Sequence, residues 1–115
     1  MIRALQDADL AECETEALKA AAACLRQALL VDRIILFGSK ARGDAAPDSD
    51  FDLLILTQRK LDWQEQRKVT DVLYPLQLQY DVLFSPLVVA VEDWEEGLFQ
   101  VLPIKSEIER DGIAL

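Results

Sequence analysis

Between residues 9 and 30, Leu10, Cys13, Ala17, Ala20, Ala21, Cys24, Ala28 and Leu29 recur at three- and four-residue steps. That period predicts a long alanine-rich helix with one apolar face. The pattern then changes to short apolar runs closed by turn residues, over 33–37 and 51–56, which read as strands, the second buried on both faces. Between them, Gly38–Asp44 reads as a turn and a short helix, and Ala45-Ala46-Pro47-Asp48 as a loop. Asp62-Trp63-Gln64-Glu65 has the layout of a capped helix start, followed by Val69, Val72, Leu73 and Leu76 on one face, with Pro75 marking an end or a kink. Tyr80–Phe84 predicts a third strand, which Pro86 lets continue through Val88–Val91 only at a sheet edge or a bulge. Glu92–Gly97 reads as a short helix, and Pro103 and Gly112 frame a last one over 103–111. The order α-β-α-β-α-β-α-α predicts an α/β fold, a small mixed sheet packed with helices in one domain over 1–115, with right-handed crossovers between parallel neighbours.

Composition narrows the class. The chain has 115 residues, 51% hydrophobic and 29% charged, as expected of a soluble globular domain. No uncharged stretch approaches the ~18–20 apolar residues of a membrane span, and the first residues lack the layout of a leader, so a cytoplasmic protein is expected. Cys13 and Cys24 fall on the predicted first helix about 16 Å apart along its axis, too far for a disulfide. Both are expected to be buried thiols in a reducing compartment. There is no histidine, which excludes a Ser-His-Asp mechanism and disfavours zinc. The net charge of −9 argues against direct binding of DNA or RNA and favours a basic protein partner. The cations near residues 38–54, namely Arg33, Lys40, Arg42, Arg59 and Lys60, suit a single nucleotide better than a polymer.

The chemistry concentrates in residues 37–54. The first apolar run enters Gly38-Ser39, a small-residue turn whose backbone amides can hold phosphate oxygens. The second opens with Asp50 and Asp52, whose i, i+2 spacing on a strand aims both carboxylates at one face. Two like charges so close make sense as ligands for hard divalent cations such as Mg2+. A phosphate cradle beside a metal-binding carboxylate pair implies phosphoryl or nucleotidyl transfer. The bland readings are an aspartate-rich turn before a strand, and Ser39 as an ordinary helix N-cap. Arg42 could contact nucleotide or pair with an acidic side chain of its own loop, and Gly43 reads as a conformational requirement. Trp63 and Trp94 could stack on a base, although a tryptophan beside a helix start is more often core or interface. The acidic residues Glu92, Asp93, Glu95 and Glu96 read as a solvated face.

Gly-Ser-x-Ala-Arg-Gly at 38–43 and Ser-Asp-x-Asp-Leu at 49–53 resemble the signature of the DNA polymerase beta-type nucleotidyltransferase superfamily, and most closely its minimal nucleotidyltransferase domains. The strong part covers residues 34–56. The resemblance implies the nucleotidyltransferase fold, two Mg2+ ions (with Mn2+ as a substitute) bridged by Asp50 and Asp52, and a third carboxylate from another strand. Asp81 is the candidate for that carboxylate; Asp71 is its rival, on a helix facing away. The resemblance also gives Gly38 and Ser39 a place at the triphosphate of ATP, with the Ser39 hydroxyl on the β- or γ-phosphate.

Minimal nucleotidyltransferases of this kind often pair with a helical HEPN-type toxin and act as antitoxins, some by adding AMP to a toxin tyrosine. That activity, and a hetero-oligomer with such a partner, are what the resemblance implies here. Two other readings stay open. One is a non-catalytic antitoxin or regulatory subunit that neutralises its partner by binding; the other is a nucleotidyltransferase acting on a small molecule.

Overall fold

The computed structural model describes residues 2–115; Met1, the first residue of the stretch read above for a leader, lies outside them. Its elements run β1 (Arg3–Ala4), α1 (Glu12–Ala28), β2 (Val31–Phe37), α2 (Ser39–Arg42), β3 (Phe51–Thr57), α3 (Trp63–Tyr80), β4 (Phe84–Ala90), α4 (Val91–Glu96), α5 (Pro103–Asp111) and β5 (Ile113–Ala114). They build one mixed sheet in the order β1-β5-β2-β3-β4. β2 runs antiparallel to both β3 and β5, while β3 and β4 are parallel, with α3 as the connection between them.

Alternation along β3 decides which layer each side chain joins. Phe51, Leu53 and Ile55 enter the larger core, with Leu18 and Leu25 of α1 and Val69, Leu73 and Leu76 of α3. Leu54 and Leu56 face the smaller core, formed with Ile35, Val89, Trp94 of α4 and Ile108 of α5. Leu53, Leu54, Ile55 and Leu56 are all completely buried, each contributing about 1.5–3 kcal/mol of hydrophobic free energy. The strand is therefore covered on both sides, as its unbroken apolar run implied.

The first helix is shorter than its sequence period, and its seam is Ala17, Leu18, Ala21, Ala22 and Leu25. Its Cys13 is exposed and Cys24 half-buried, which corrects the expectation of two buried thiols; both are free. The helix starts at Glu12, so Cys13 falls in its open first turn, ahead of the seam. The start at Asp62 is as read: Asp62 Oδ1 accepts the Glu65 N–H at 2.8 Å, and Glu65 Oε1 accepts the Asp62 N–H at 3.3 Å. Pro75 does not end α3, which continues to Tyr80.

That extension overturns the third strand expected over 80–84. Leu76, Gln77, Leu78 and Gln79 are good helix formers, and Leu76 is buried, so the helix runs on through them. Asp81 then takes a left-handed conformation (φ 54°), its N–H bonded to Gln77 O. Asp is one of the few non-glycine residues that visit this region readily. The Gln77 side chain accepts the Phe84 N–H at 2.9 Å and so starts β4 there. β4 is an edge strand, where Pro86 was expected to be tolerated.

β1 and β5 were not foreseen. Each is two residues long, too short to show a period.

Candidate active site

The site forms where β2 ends and β3 begins, because these strands are antiparallel neighbours. Phe37, the last residue of β2, lies opposite Asp52. The next residue, Gly38, has φ 76°, a left-handed conformation that costs glycine little and other residues much. A second constraint falls on the same atom. A Cβ on Gly38 would overlap Asp52 Oδ2 and lie 3.2 Å from Asp52 Cγ. The missing side chain is the space the Asp52 carboxylate occupies, so turn and carboxylate are in direct contact.

α2 is a single turn. Gly38 O accepts the N–H groups of Ala41 (3.1 Å) and Arg42 (3.0 Å), and Gly43 closes the turn at φ 83°. Gly43 is thus a conformational requirement, as expected. The amides of Ser39 and Lys40 precede the first closed turn and are the donors such a turn can offer to an anion. Ser39 is not the N-cap: Gly38 holds that position, with no side-chain capping bond. The bland reading of Ser39 therefore loses its basis.

Asp50 is exposed and Asp52 half-buried. Burial raises the Asp52 carboxyl above its ordinary pKa, the charge on Asp50 raises it further, and Arg42 pulls it partly back. The structure thus brings Asp50, Asp52, Gly38 and Arg42 together. Arg42 is exposed and bonds Asp44 of its own loop (Nε–Oδ2 3.3 Å), so the pairing reading holds alongside proximity to Asp52. Gly38 and Arg42 also line a cleft of about 150 Å3 whose opposite wall is α5, with Ile104, Glu107 and Asp111.

Asp81 is at the same end of the sheet. It stands three residues before Phe84, which pairs in parallel with Phe51, but on the cap of α3 rather than on the strand. The β4 residue in register with Asp52 is Ser85. Among the described residues no cluster of three His, Cys, Asp or Glu side chains forms a metal cage. Asp50 and Asp52 still fit a hard cation: both are oxygen donors, and their mutual repulsion is relieved by positive charge. Asp71 is exposed on α3.

Three of the other cations named from sequence are engaged elsewhere. Arg33 bonds Asp32 and Glu95, Arg59 bonds Glu65, and Lys40 is buried against Glu14 at 2.9 Å. Nothing in the surroundings of Lys40 in sequence signals its burial. Arg3 was also missed: its guanidinium donates to Ala41 O and, at 3.0 Å, to Asp111 O, fastening α2 to the end of α5. Trp94 is buried against Phe99, so it cannot stack on a base, whereas Trp63 is exposed.

The nucleotidyltransferase domain model matches residues 18–113. A Methanocaldococcus jannaschii protein named "Putative protein adenylyltransferase MJ0141" is 43% identical over 58 residues, 50% of this chain and 59% of its own length. A second from that organism, "Putative protein adenylyltransferase MJ0604", is 39% identical over 62 residues, 54% of this chain and 57% of its own. The chain thus spans less than three fifths of each of these relatives. Among solved structures, "Structure of putative minimal nucleotidyltransferase" superposes with a TM-score of 0.59 at 22% identity, covering 93% of this chain and 99% of that one. "Crystal structure of the toxin-antitoxin with AMP-PNP" gives 0.57 at 17% identity, over 84% of this chain and 69% of that one. These two likenesses show a common fold. With a glycine turn pressed against a paired-aspartate strand, and a family model that runs from α1 to β5, the chain belongs to the nucleotidyltransferase domain family.

Proposed function

We propose that this protein transfers AMP from ATP to a hydroxyl of a protein partner. The observation that carries the proposal is the contact between Gly38 and Asp52, which sets an amide-lined turn directly against a repelling carboxylate pair. In this reading the α2 turn and the Ser39 hydroxyl hold the triphosphate, Gly38 admits it closely, and Arg42 adds positive charge at the cleft. Asp50 and Asp52 would hold Mg2+, with Mn2+ as a substitute. Bound there, the metal supplies charge neutralisation at the phosphates and a more acidic acceptor hydroxyl. The chain's own part is positioning: it aligns the α-phosphorus with the acceptor and sets both carboxylates beside the Gly38 turn, where a cation would offset the repulsion that raises the Asp52 pKa. Asp81 enters as the third carboxylate and donor to a second ion, supported by the family pattern and its place at the Asp50 end of β3 and β4.

The adenylyltransferase names of the archaeal relatives support AMP as the group transferred. The toxin–antitoxin structure of the same fold supports a toxin as acceptor, in the family pattern a helical HEPN-type protein modified on tyrosine. Complementary charge favours a basic partner for a chain of net charge −9. The protein would then act as an antitoxin in the cytoplasm.

Intact-mass measurement of the co-expressed helical partner, with and without ATP and Mg2+, tests the proposal. One or more added AMP units are expected with the wild type and none with Asp52→Asn. If both neutralise the partner equally and neither changes its mass, neutralisation is by binding and the enzyme reading is lost.

A further inference from the structure

We infer that Lys40 is a positioning residue for the reaction, linking the phosphate turn to the carboxylate strand from the opposite face of the sheet; the inference rests on the proposed function. Lys40 is only 8% exposed, unusual for a lysine on a four-residue helix. Its ammonium makes three contacts. It donates to Glu14 Oε2 of α1 at 2.9 Å, approaches the Pro47 carbonyl at 3.4 Å, and lies 4.8 Å from the centre of the Phe51 ring.

Pro47 stands three residues before Asp50, and Phe51 lies between Asp50 and Asp52. The ammonium thus grips the chain on both sides of Asp50. Phe51 belongs to the larger core, while strand alternation puts Asp52 on the other face with Leu54 and Leu56. Lys40 therefore acts from behind the strand. Glu14 completes the clamp: its other oxygen accepts the Ala11 N–H at 3.0 Å, so the carboxylate is fixed to the first turn of α1. One partly buried ion pair sets α1, the phosphate-binding turn and the carboxylate pair relative to one another.

The test is Mn2+ binding by electron paramagnetic resonance, run on protein shown by circular dichroism to be folded. Wild type should bind Mn2+, and Lys40→Met, which keeps the apolar stem, should weaken that affinity by about tenfold or more, as loss of a supporting contact behind metal ligands does. Lys40→Arg, whose guanidinium can still reach Glu14, should retain most of it. A merely structural ion pair would lower the melting temperature and leave Mn2+ affinity unchanged in the folded protein. A folded Lys40→Met with wild-type affinity overturns this inference alone. Wild type that binds no Mn2+ overturns the carboxylate-pair reading as well. If Lys40→Met does not fold, Glu14→Gln serves with the same two readings: weakened Mn2+ binding supports the clamp, and unchanged binding overturns it.

Discussion

Two partly buried carboxylates, Glu14 and Asp52, are both pushed up by desolvation and yet end on opposite sides of their ordinary pKa. Burial pushes Glu14 up, but the hydrogen bond from Lys40, with help from the Ala11 N–H, brings it below the usual range. Burial also pushes Asp52 up; there the nearest strong influence is another carboxylate, and Arg42 only partly offsets it. The first carboxylate has its counter-charge built into the fold. The second lacks an equivalent one, and a group left in that condition is a candidate for work rather than support. The difference separates a clamp from a site although both touch the same short segment, residues 38–52.

The sharpest way to break this contrast is to neutralise the uncompensated pair. Asp50→Asn with Asp52→Asn should lower AMP transfer by about a hundredfold or more, followed by radiolabel from ATP, with the circular dichroism spectrum unchanged. Residual transfer above about a tenth of wild type would remove both aspartates from the metal-binding role. Asp81→Asn belongs in the same assay: a comparable loss would bring Asp81 into the site despite its position on the α3 cap, and wild-type transfer would leave the site with two carboxylates. Gly38→Val should come close to the double variant, because its side chain would collide with Asp52 and oppose a positive φ. Normal turnover in that variant would place the phosphates elsewhere.

The compensated pair should respond in stability as well as in the Mn2+ affinity tested above. Glu14→Ala leaves a buried ammonium without its partner and should cost about 3–5 kcal/mol, read from urea unfolding; a loss below about 1 kcal/mol would mean that the pair behaves as a surface one. Because the Glu14 pKa is lowered in the fold, its stabilisation is present above the ordinary glutamate pKa and fades as pH falls through the folded value. Ser39→Ala should weaken ATP binding in calorimetry with little change in stability, since its hydroxyl makes no cap. A loss of about 0.5–2 kcal/mol with unchanged binding would restore the capping reading.

The smallest effect has the opposite sign. Asp52 has a raised pKa in the fold, so its ionisation destabilises the metal-free protein at neutral pH, and that penalty disappears once the pH is below both the folded and the unfolded values. In chelator, Asp52→Asn should therefore melt above wild type at pH 7, with the gain shrinking on acidification. A lower melting temperature at pH 7 would show that Asp52 is compensated after all.

Much of the fold was legible because long periodic segments and capped helix starts carry their own signal. The helical period of α1, the doubly buried β3 and the Asp62 cap follow from neighbours in sequence, whereas the seam of α1 turns away from the expected face to take in Leu18, Ala22 and Leu25. The pairing of Gly38 with Asp52 was foreseeable in kind, since two motif blocks flank one turn, but the shared space between them is a property of strand register. Lys40, Arg3 and the cap at Asp81 were not legible. Their partners are far along the chain (Glu14, Asp111) or depend on where a helix chooses to stop. The third strand was misplaced for that last reason, because Tyr-Asp-Val-Leu-Phe suits a strand while the helix holds to Tyr80 and the strand begins only at Phe84.

The position of β5 has a consequence in time. It follows every other element in sequence, yet it lies between β1 and β2, and Gly112 O accepts the Arg3 N–H beside it. A ribosome adds on the order of 5–20 residues per second, so Arg3 waits several seconds for the strand it pairs with. Until residues 112–115 emerge, the Arg3 strap from α2 to α5 cannot close, and the cleft beside Gly38 lacks a fixed wall. In the described chain the cleft is therefore walled last, after both motif blocks and β3 have been made.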